Sequence, residues 1–115
     1  METHKKWFNR ILNDDTTGFM VLEYGQDIIG QLRFDFDEKY PVISISLNKK
    51  YRGLGLSKYL LNNGINYIKE NYNQNTLIAD IKKSNARSIS FFEAMGFKKE
   101  YEIRNGSALR FIYRG

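Results

Sequence analysis

Hydrophobic and polar positions along the chain predict a run of extended segments in its first half. Residues 19–24 and 28–36 are rich in β-branched and aromatic side chains and flank Gly25-Gln26-Asp27, a pattern typical of a β-hairpin. The segment Val42–Leu47 follows and alternates hydrophobic with polar residues, as a half-buried strand does. We therefore expect three consecutive antiparallel strands.

A helical periodicity then replaces the alternation. The side chains that form one broad apolar face are Leu56, Tyr59, Leu60, Leu61, Ile65, Tyr67 and Ile68. Gly64 interrupts this helix at a cost of about 1 kcal/mol relative to alanine, which indicates a close approach of helix and sheet. Residues 77–81 are short and apolar, so we expect a strand parallel to Val42–Leu47 through a right-handed crossover.

The start of the chain also shows a helical spacing. Apolar side chains and one histidine recur at i, i+3, i+4, i+7 and i+8, namely His4, Trp7, Phe8, Ile11 and Leu12. This spacing predicts a first helix over residues 4–12, with His4 as a packing residue.

The last third of the chain predicts a second helix and a hairpin. Ser84 or Asn85 is a suitable cap for a helix over residues 85–95, and Gly96 is a suitable end. Residues 97–103 and 108–113 flank Asn105-Gly106, which is the preferred sequence of a two-residue type I′ turn.

Composition indicates one globular domain over residues 1–115, with 42% hydrophobic and 27% charged residues. No apolar run reaches the roughly 20 residues of a membrane span, and the N-terminus does not resemble a signal peptide, so we expect a cytoplasmic protein without membrane contact. The absence of cysteine excludes a thiolate nucleophile, and a single histidine argues against a metal site.

A net charge of +5 favours a polyanionic partner, either nucleic acid or a phosphorylated cofactor. Basic residues are dispersed except in residues 49–58 and 82–87. A nucleic-acid footprint is usually a continuous basic stripe, so the cofactor is the stronger interpretation and nucleic acid is not expected.

The turn between Val42–Leu47 and the long helix is basic and contains Gly53 and Gly55. Glycines let the backbone approach a ligand and adopt positive φ, and the first N–H groups of the next helix point at an anion placed before them. The turn has neither the Gly-Lys-Ser/Thr ending of a Walker loop nor the spacing of a dinucleotide fingerprint. On its own it is equally compatible with an ordinary strand-to-helix connection.

Two stretches together resemble the GNAT acetyltransferase family. Residues 47–57 are similar to its acetyl-CoA pyrophosphate loop, Gln/Arg-x-x-Gly-x-Gly/Ala, with Arg52, Gly55 and Ser57 at the fixed places. Residues 85–97 resemble its second signature, an asparagine followed by a helix that ends in Gly-Phe. The resemblance implies an α/β (α+β) fold with a mixed, mainly antiparallel sheet, helices on both faces and a central βαβ unit, the family's first strand and helix being absent.

The same resemblance implies transfer of the acetyl group of acetyl-CoA to a primary amine of a small acceptor. Residues 31–35, 43–47 and 81–85 are similar to the branch that acetylates nucleotide-linked amino sugars, so an amino sugar is the leading acceptor. The residues implied to bind CoA are Ser46, Leu47, Asn48, Arg52, Gly53, Leu54, Gly55, Leu56, Ser57, Lys58, Asn85 and Phe92. The cations considered for its 3′-phosphate are Lys49, Lys50, Lys58 and Arg87.

The catalytic groups stay unassigned. The carboxylates on predicted strands, which are the candidate bases, are Glu23, Asp35 and Asp80. Phe92 stands where many family members carry a tyrosine that protonates the departing sulfur. Two interpretations follow: an acetyltransferase with a substitute acid such as Tyr101 or Tyr113, or a CoA-binding or interaction module with little or no activity. The sheet edge left by the absent first strand favours a homodimer.

Overall fold

The structure, a computed structural model, describes residues 7–13, 16–53 and 55–115. Its strands and helices are β1 (Trp7–Asn13), β2 (Thr17–Tyr24), β3 (Asp27–Asp35), β4 (Val42–Leu47), α1 (Leu56–Tyr72), β5 (Thr76–Lys82), α2 (Ala86–Ala94), β6 (Lys98–Ile103) and β7 (Ala108–Arg114). A short 3₁₀ turn occupies Lys49–Tyr51, and a turn with left-handed backbone occupies Arg104–Gly106. The strands form one mixed sheet in the order β1-β2-β3-β4-β5-β7-β6.

The centre of the sheet agrees with the sequence. Strands β2, β3 and β4 are successively antiparallel, and β5 pairs with β4 in parallel after α1, so the predicted hairpin and βαβ unit are confirmed. The hairpin turn consists of Gly25 and Gln26, because Tyr24 pairs with Asp27.

The helix predicted at the start of the chain is wrong for the part that the structure describes. Residues 7–13 form β1, which pairs with β2 along its whole length, from Trp7 opposite Tyr24 to Asn13 opposite Gly18. His4 lies outside the described residues. A segment of seven residues whose apolar side chains come in adjacent pairs fits both a helical and an extended periodicity. Hydrogen bonding to the neighbouring strand decides between the two.

Both helices pack on one face of the sheet, so the prediction of helices on both faces is wrong for the described residues. Leu60 of α1 and Phe92 of α2 belong to the same buried cluster as the sheet residues Leu32 and Phe111. The topology explains this placement. Strands β5 and β6 are each antiparallel to β7 and hence parallel to each other, and right-handed crossovers that advance in one direction put their helices on one side.

The opposite face carries no helix among the described residues. Gln31, Arg33 and Ser44 are exposed there. The core between the sheet and the helices contains large, fully buried side chains, among them Phe34, Phe97 and Phe111. No helix in the ranges that the structure describes is long and apolar enough to cross a membrane.

The turn between β6 and β7 is longer than predicted. Ile103 pairs with Ala108, which leaves four residues between them, so the two-residue type I′ turn is wrong. Arg104 adopts a left-handed backbone conformation, with φ 53°. Its carbonyl oxygen accepts hydrogen bonds from the N–H and the hydroxyl of Ser107, at 3.1 and 2.8 Å. These two hydrogen bonds stabilise the wider loop.

Gly64 is buried in α1 where the helix meets β3. A Cβ added at this position would lie 2.0 Å from Cδ2 of Leu32, which is itself fully buried. The close approach of helix and sheet inferred from this glycine is confirmed.

We expect Gly64→Ala to lower the free energy of unfolding by about 1 kcal/mol, measured by chemical denaturation. Overpacking costs about 1–3 kcal/mol, while replacing a helical glycine by alanine returns about 1 kcal/mol. Asn62→Ala, on the exposed side of α1, is the control and should not destabilise the protein. A free energy of unfolding of Gly64→Ala at or above the wild-type value would contradict this prediction, because it would show that Leu32 moves aside without destabilising the core.

Candidate functional site

The site begins where two parallel strands separate. Strand β4 pairs with β5 only through Val42 with Ile78 and Ile43 with Ala79, whereas its other edge pairs with β3 as far as Leu47. Residues 44–47 therefore have no strand partner on the β5 side among the described residues. Their peptide groups line the resulting cleft and are available to an extended ligand.

A cavity of about 940 Å³ lies along this cleft on the side of the loop before α1. Its wall consists of Ile45, Ser46, Leu47, Arg52, Gly53, Gly55, Leu56, Ser57, Lys58, Asn85, Arg87, Ser88 and Phe91. The structure thus brings nine of the twelve sequence-predicted residues to one surface. Leu54 lies outside the described residues, and Asn48 and Phe92 lie off this wall.

The loop before α1 presents unpaired backbone N–H groups. The first hydrogen bond of the helix runs from the N–H of Tyr59 to the carbonyl of Gly55 at 3.2 Å, so the N–H groups of residues 56–58 have no partner within the helix. Gly55 is left-handed with φ 74°, and space around its Cα is open. The N–H of Arg52 bonds the carbonyl of Lys49 at 3.2 Å and is not free.

A second set of contacts fixes the start of this loop. The N–H of Asn48 donates to the carbonyl of Ile29 at 2.7 Å, and its side-chain oxygen accepts from the N–H of Lys50 at 3.1 Å. The Tyr51 hydroxyl donates to the carboxylate of Asp27 at 2.5 Å. This hydrogen bond, with the charge of Lys50, lowers the pKa of Asp27 from 3.8, and the same bond raises the pKa of Tyr51. Asn48 and Asp27 are therefore positioning residues for the loop.

The cations on this wall have no ion-pair partner among the described residues. Arg52, Lys58 and Arg87 form no ion pair with another described residue, while Lys50 pairs with Asp27 at 3.5 Å. Of the four cations considered for the 3′-phosphate, Lys58 and Arg87 lie on the wall, and Lys49 and Lys50 do not.

Helix α2 supplies the facing wall. Asn85 caps it, with its side-chain oxygen accepting from the N–H of Ser88 at 3.1 Å. Ser88 and Phe91 follow Asn85 at intervals of three residues and lie on the same face of α2. The sequence analysis did not identify these two residues, although their helical spacing from Asn85 could have indicated them. Phe92, predicted to bind CoA, is only 3% exposed and packs against Phe97 with ring centroids 5.0 Å apart.

A smaller cavity of about 340 Å³ continues through the gap between β4 and β5. Its wall consists of Ile43, Ser44, Ile45, Ala79, Asp80, Ile81, Lys82, Asn85, Ser88, Phe92 and Arg104. The residues common to both cavities are Ile45, Asn85 and Ser88. A ligand that enters along the larger cavity would meet a ligand from the smaller one beside these three side chains.

Of the candidate bases, only Asp80 reaches a cavity wall. Its carboxylate oxygens accept from Nε and Nη2 of Arg110, both at 2.9 Å, and Arg110 also binds Glu38 through two hydrogen bonds of 2.7 and 2.9 Å. These partners raise the pKa of Arg110 further above its usual value.

Asp35 instead contacts Thr17 and Arg33, and Glu23 lies on neither wall. The suggested acids Tyr101 and Tyr113 also lie off both walls. None of these four side chains therefore borders either cavity.

These features fit the parts of acetyl-CoA. Free N–H groups at a helix start suit a pyrophosphate, unpaired cations suit a 3′-phosphate, and an unpartnered strand edge suits the amides of a pantetheine arm. The chemistry of the wall thus matches the donor that GNAT proteins use.

Two N-alpha-acetyltransferases are similar to the chain in sequence. The chain is 26% identical over 106 residues to an N-alpha-acetyltransferase of Sulfurisphaera tokodaii, an alignment that covers 90% of the chain and 63% of that protein. A Saccharolobus solfataricus N-alpha-acetyltransferase is 28% identical over 95 residues, covering 81% of the chain and 56% of that protein. The chain thus spans less than two thirds of the length of these relatives.

Solved structures share the fold. A Vibrio cholerae spermidine N-acetyltransferase in complex with CoA and spermine superimposes with a TM-score of 0.76 at 17% identity, over 87% of the chain and 66% of its own. The Campylobacter jejuni N-acetyltransferase PseH gives a TM-score of 0.74 at 22% identity, over 88% and 70%. The sequence model of the acetyltransferase (GNAT) family matches residues 1–97, and the chain therefore belongs to the GNAT family.

Proposed function

We propose that this chain is an N-acetyltransferase that moves the acetyl group of acetyl-CoA to a primary amine of a small acceptor. One observation carries the proposal: the separation of β4 from β5 joins a cavity lined by free N–H groups and cations to a second cavity. The two cavities share Ile45, Asn85 and Ser88, so a donor in the larger cavity and an acceptor in the smaller one would meet beside these residues.

Donor binding rests on backbone groups and positive charge. The N–H groups of residues 56–58 and the positive end of α1 would hold the pyrophosphate, and Lys58 and Arg87 the 3′-phosphate. Peptide groups of Ser46 and Leu47 would pair with the pantetheine arm and place the thioester beside Ser88. The donor supplies an acetyl thioester, whose carbonyl carbon accepts the amine.

The acceptor amine would approach through the smaller cavity. A primary amine near pKa 10 is mostly charged at pH 7, and its neutral form lies about 4 kcal/mol higher. Asp80 is the only candidate carboxylate on either wall, and both of its oxygens bind Arg110. We therefore propose that water in the cleft removes the proton from the acceptor amine. The role of Asp80 is then structural: its hydrogen bonds to Arg110 hold the wall of the smaller cavity in place.

The departing thiolate needs modest help. A thiol with a pKa near 8.5 loses its proton at pH 7 at a cost of about 2 kcal/mol, so a hydrogen-bond donor is sufficient where a strong acid is absent. Phe92 has no donor and is buried, whereas Ser88 and Asn85, which carry a hydroxyl and an amide, line both cavities. We propose that these two groups stabilise the leaving sulfur.

An amino sugar is the proposed acceptor, and the relatives provide the alternatives to test. N-alpha-acetyltransferases and spermidine N-acetyltransferases are among the proteins that the chain resembles. Release of CoA measured with nucleotide-linked amino sugars, spermidine and peptide N-termini distinguishes these acceptor classes. Turnover confined to peptide N-termini would contradict the amino-sugar proposal.

A second candidate is a CoA-binding or interaction module with little or no activity. The observation that favours it is the buried phenyl ring of Phe92, which leaves no phenol at this position. Saturable CoA binding without CoA release on any acceptor in the panel would favour this module over the enzyme.

We also propose that residues 1–115 form a single domain, because one continuous sheet joins β1 to β7. A homodimer through β1, which is an edge strand, remains a prediction. Light scattering after gel filtration tests it, and a monomer at all concentrations would contradict it.

Gly55→Glu should abolish CoA binding in calorimetry, because it places bulk and negative charge in the space before α1. The matched control is Gly25→Glu in the β2–β3 turn, where φ is also positive at 62° and an added Cβ also meets nothing within 4 Å. The control has the same backbone strain and should bind CoA normally. Normal binding by a folded Gly55→Glu variant would show that the loop does not hold CoA.

Ser88→Ala should lower kcat about tenfold, the usual effect of losing one hydrogen bond to a charged group, with the Kd for CoA unchanged. Ser90→Ala, on the exposed side of α2, is the control. Steady-state kinetics with saturating acetyl-CoA make the comparison. Equal kcat values for the two variants would remove Ser88 from the reaction.

A further inference from the structure

The charged wall of the smaller cavity distinguishes between classes of acceptor. Its charged side chains are Asp80, Lys82 and Arg104. Asp80 is only 11% exposed and accepts two hydrogen bonds of 2.9 Å from Arg110, whose guanidinium it shares with Glu38. Two cations therefore face one ion-paired carboxylate on this wall, and the charge of the wall is positive.

Two residues supply that charge from adjacent elements. Lys82 ends β5, and Arg104 opens the turn between β6 and β7. The N–H of Lys83 donates to the carbonyl of Ser107 at 3.0 Å, which holds this turn beside the end of β5. Both side chains thus border the same opening.

Neither Lys82 nor Arg104 forms an ion pair within the described structure. The neighbouring Lys83 pairs with Glu102, while the side chains of Lys82 and Arg104 are exposed and form no ion pair with another described residue. Arg104 adopts φ 53°, a conformation unusual for a residue with a side chain, and lines the cavity from the wider turn.

We propose that Lys82 and Arg104 form a subsite for an anionic group, a phosphate or carboxylate, on the amine acceptor. This inference rests on the proposed acetyltransferase function and specifies the acceptor for it. A guanidinium and an ammonium across one opening hydrogen-bond a phosphate or carboxylate well, and they repel a polycation such as spermidine. The acceptor amine then lies deeper, toward Asn85 and Ser88.

Kinetics on the whole chain with acetyl-CoA test the subsite. The probes are UDP-glucosamine, an aspartyl-alanine dipeptide, unsubstituted glucosamine and spermidine. We expect kcat/KM for an anionic probe to exceed the value for glucosamine at least about tenfold, and the diphosphate and carboxylate probes show which anion fits. A higher kcat/KM for spermidine than for both anionic probes would overturn the proposal.

Variants connect the preference to the two residues. Lys82→Ala and Arg104→Asn, in which asparagine tolerates the left-handed backbone, should each lower kcat/KM for the preferred anionic probe about tenfold and leave glucosamine unchanged. Arg104→Lys should retain most of the preference, and Lys69→Ala on the exposed side of α1 is the charge-matched control. Equal losses for all acceptors, or none, would contradict the subsite.

Calorimetry separates this inference from the proposed activity. UDP-glucosamine is titrated into protein saturated with CoA. The CoA occupies the loop before α1, so the diphosphate of UDP-glucosamine cannot bind there and contribute to the measured heat. Binding that weakens about tenfold in Lys82→Ala supports the subsite even where no acceptor turns over. Absent or unaltered binding overturns the subsite while CoA binding, measured first, still supports the donor site.

Discussion

The separation of β4 from β5 is the feature on which the rest of this molecule depends. Two parallel neighbours normally share a ladder of hydrogen bonds, and here the ladder stops after Ile43 and Ala79. The unpaired peptide groups beyond that point would be costly if they were buried without a partner. They are tolerated because the gap is open, and they are useful because an amide-containing arm can replace the missing strand.

The connections explain why the gap opens toward a phosphate cradle. Helix α1 begins after the loop that follows β4, so the free N–H groups at its start lie at the end of the unpaired strand edge. Helix α2 begins just after β5, and Asn85 caps it on the other side of the cleft. Because both crossovers advance in the same direction, the two helix starts line the same cavity, and a donor bound as proposed would contact both.

Placement of both helices on one face gives the two sides of the gap different chemistry. The helix side supplies apolar packing, free N–H groups and cations for a large cofactor. The side without a helix is reached through the smaller cavity, where Asp80 is held by Arg110 and the remaining charge comes from Lys82 and Arg104. The left-handed turn at Arg104–Gly106, which replaces the simpler hairpin turn, places Arg104 on the wall of this opening.

By itself, the sequence determined the central strands, the βαβ unit, the caps of α2 and most of the loop residues that line the larger cavity. The strands, the βαβ unit and the caps depend on local periodicity, glycine geometry and capping, which neighbouring residues specify. The loop residues were assigned by their resemblance to the GNAT pyrophosphate loop. Only the tertiary structure decided that residues 7–13 form a strand and that both helices share one face. It also placed Phe91 and Ser88 in the cleft and put Phe92 in the core. A seven-residue segment fits either periodicity, and which face of α2 meets the cleft depends on where β5 and β7 lie, so long-range packing decides both.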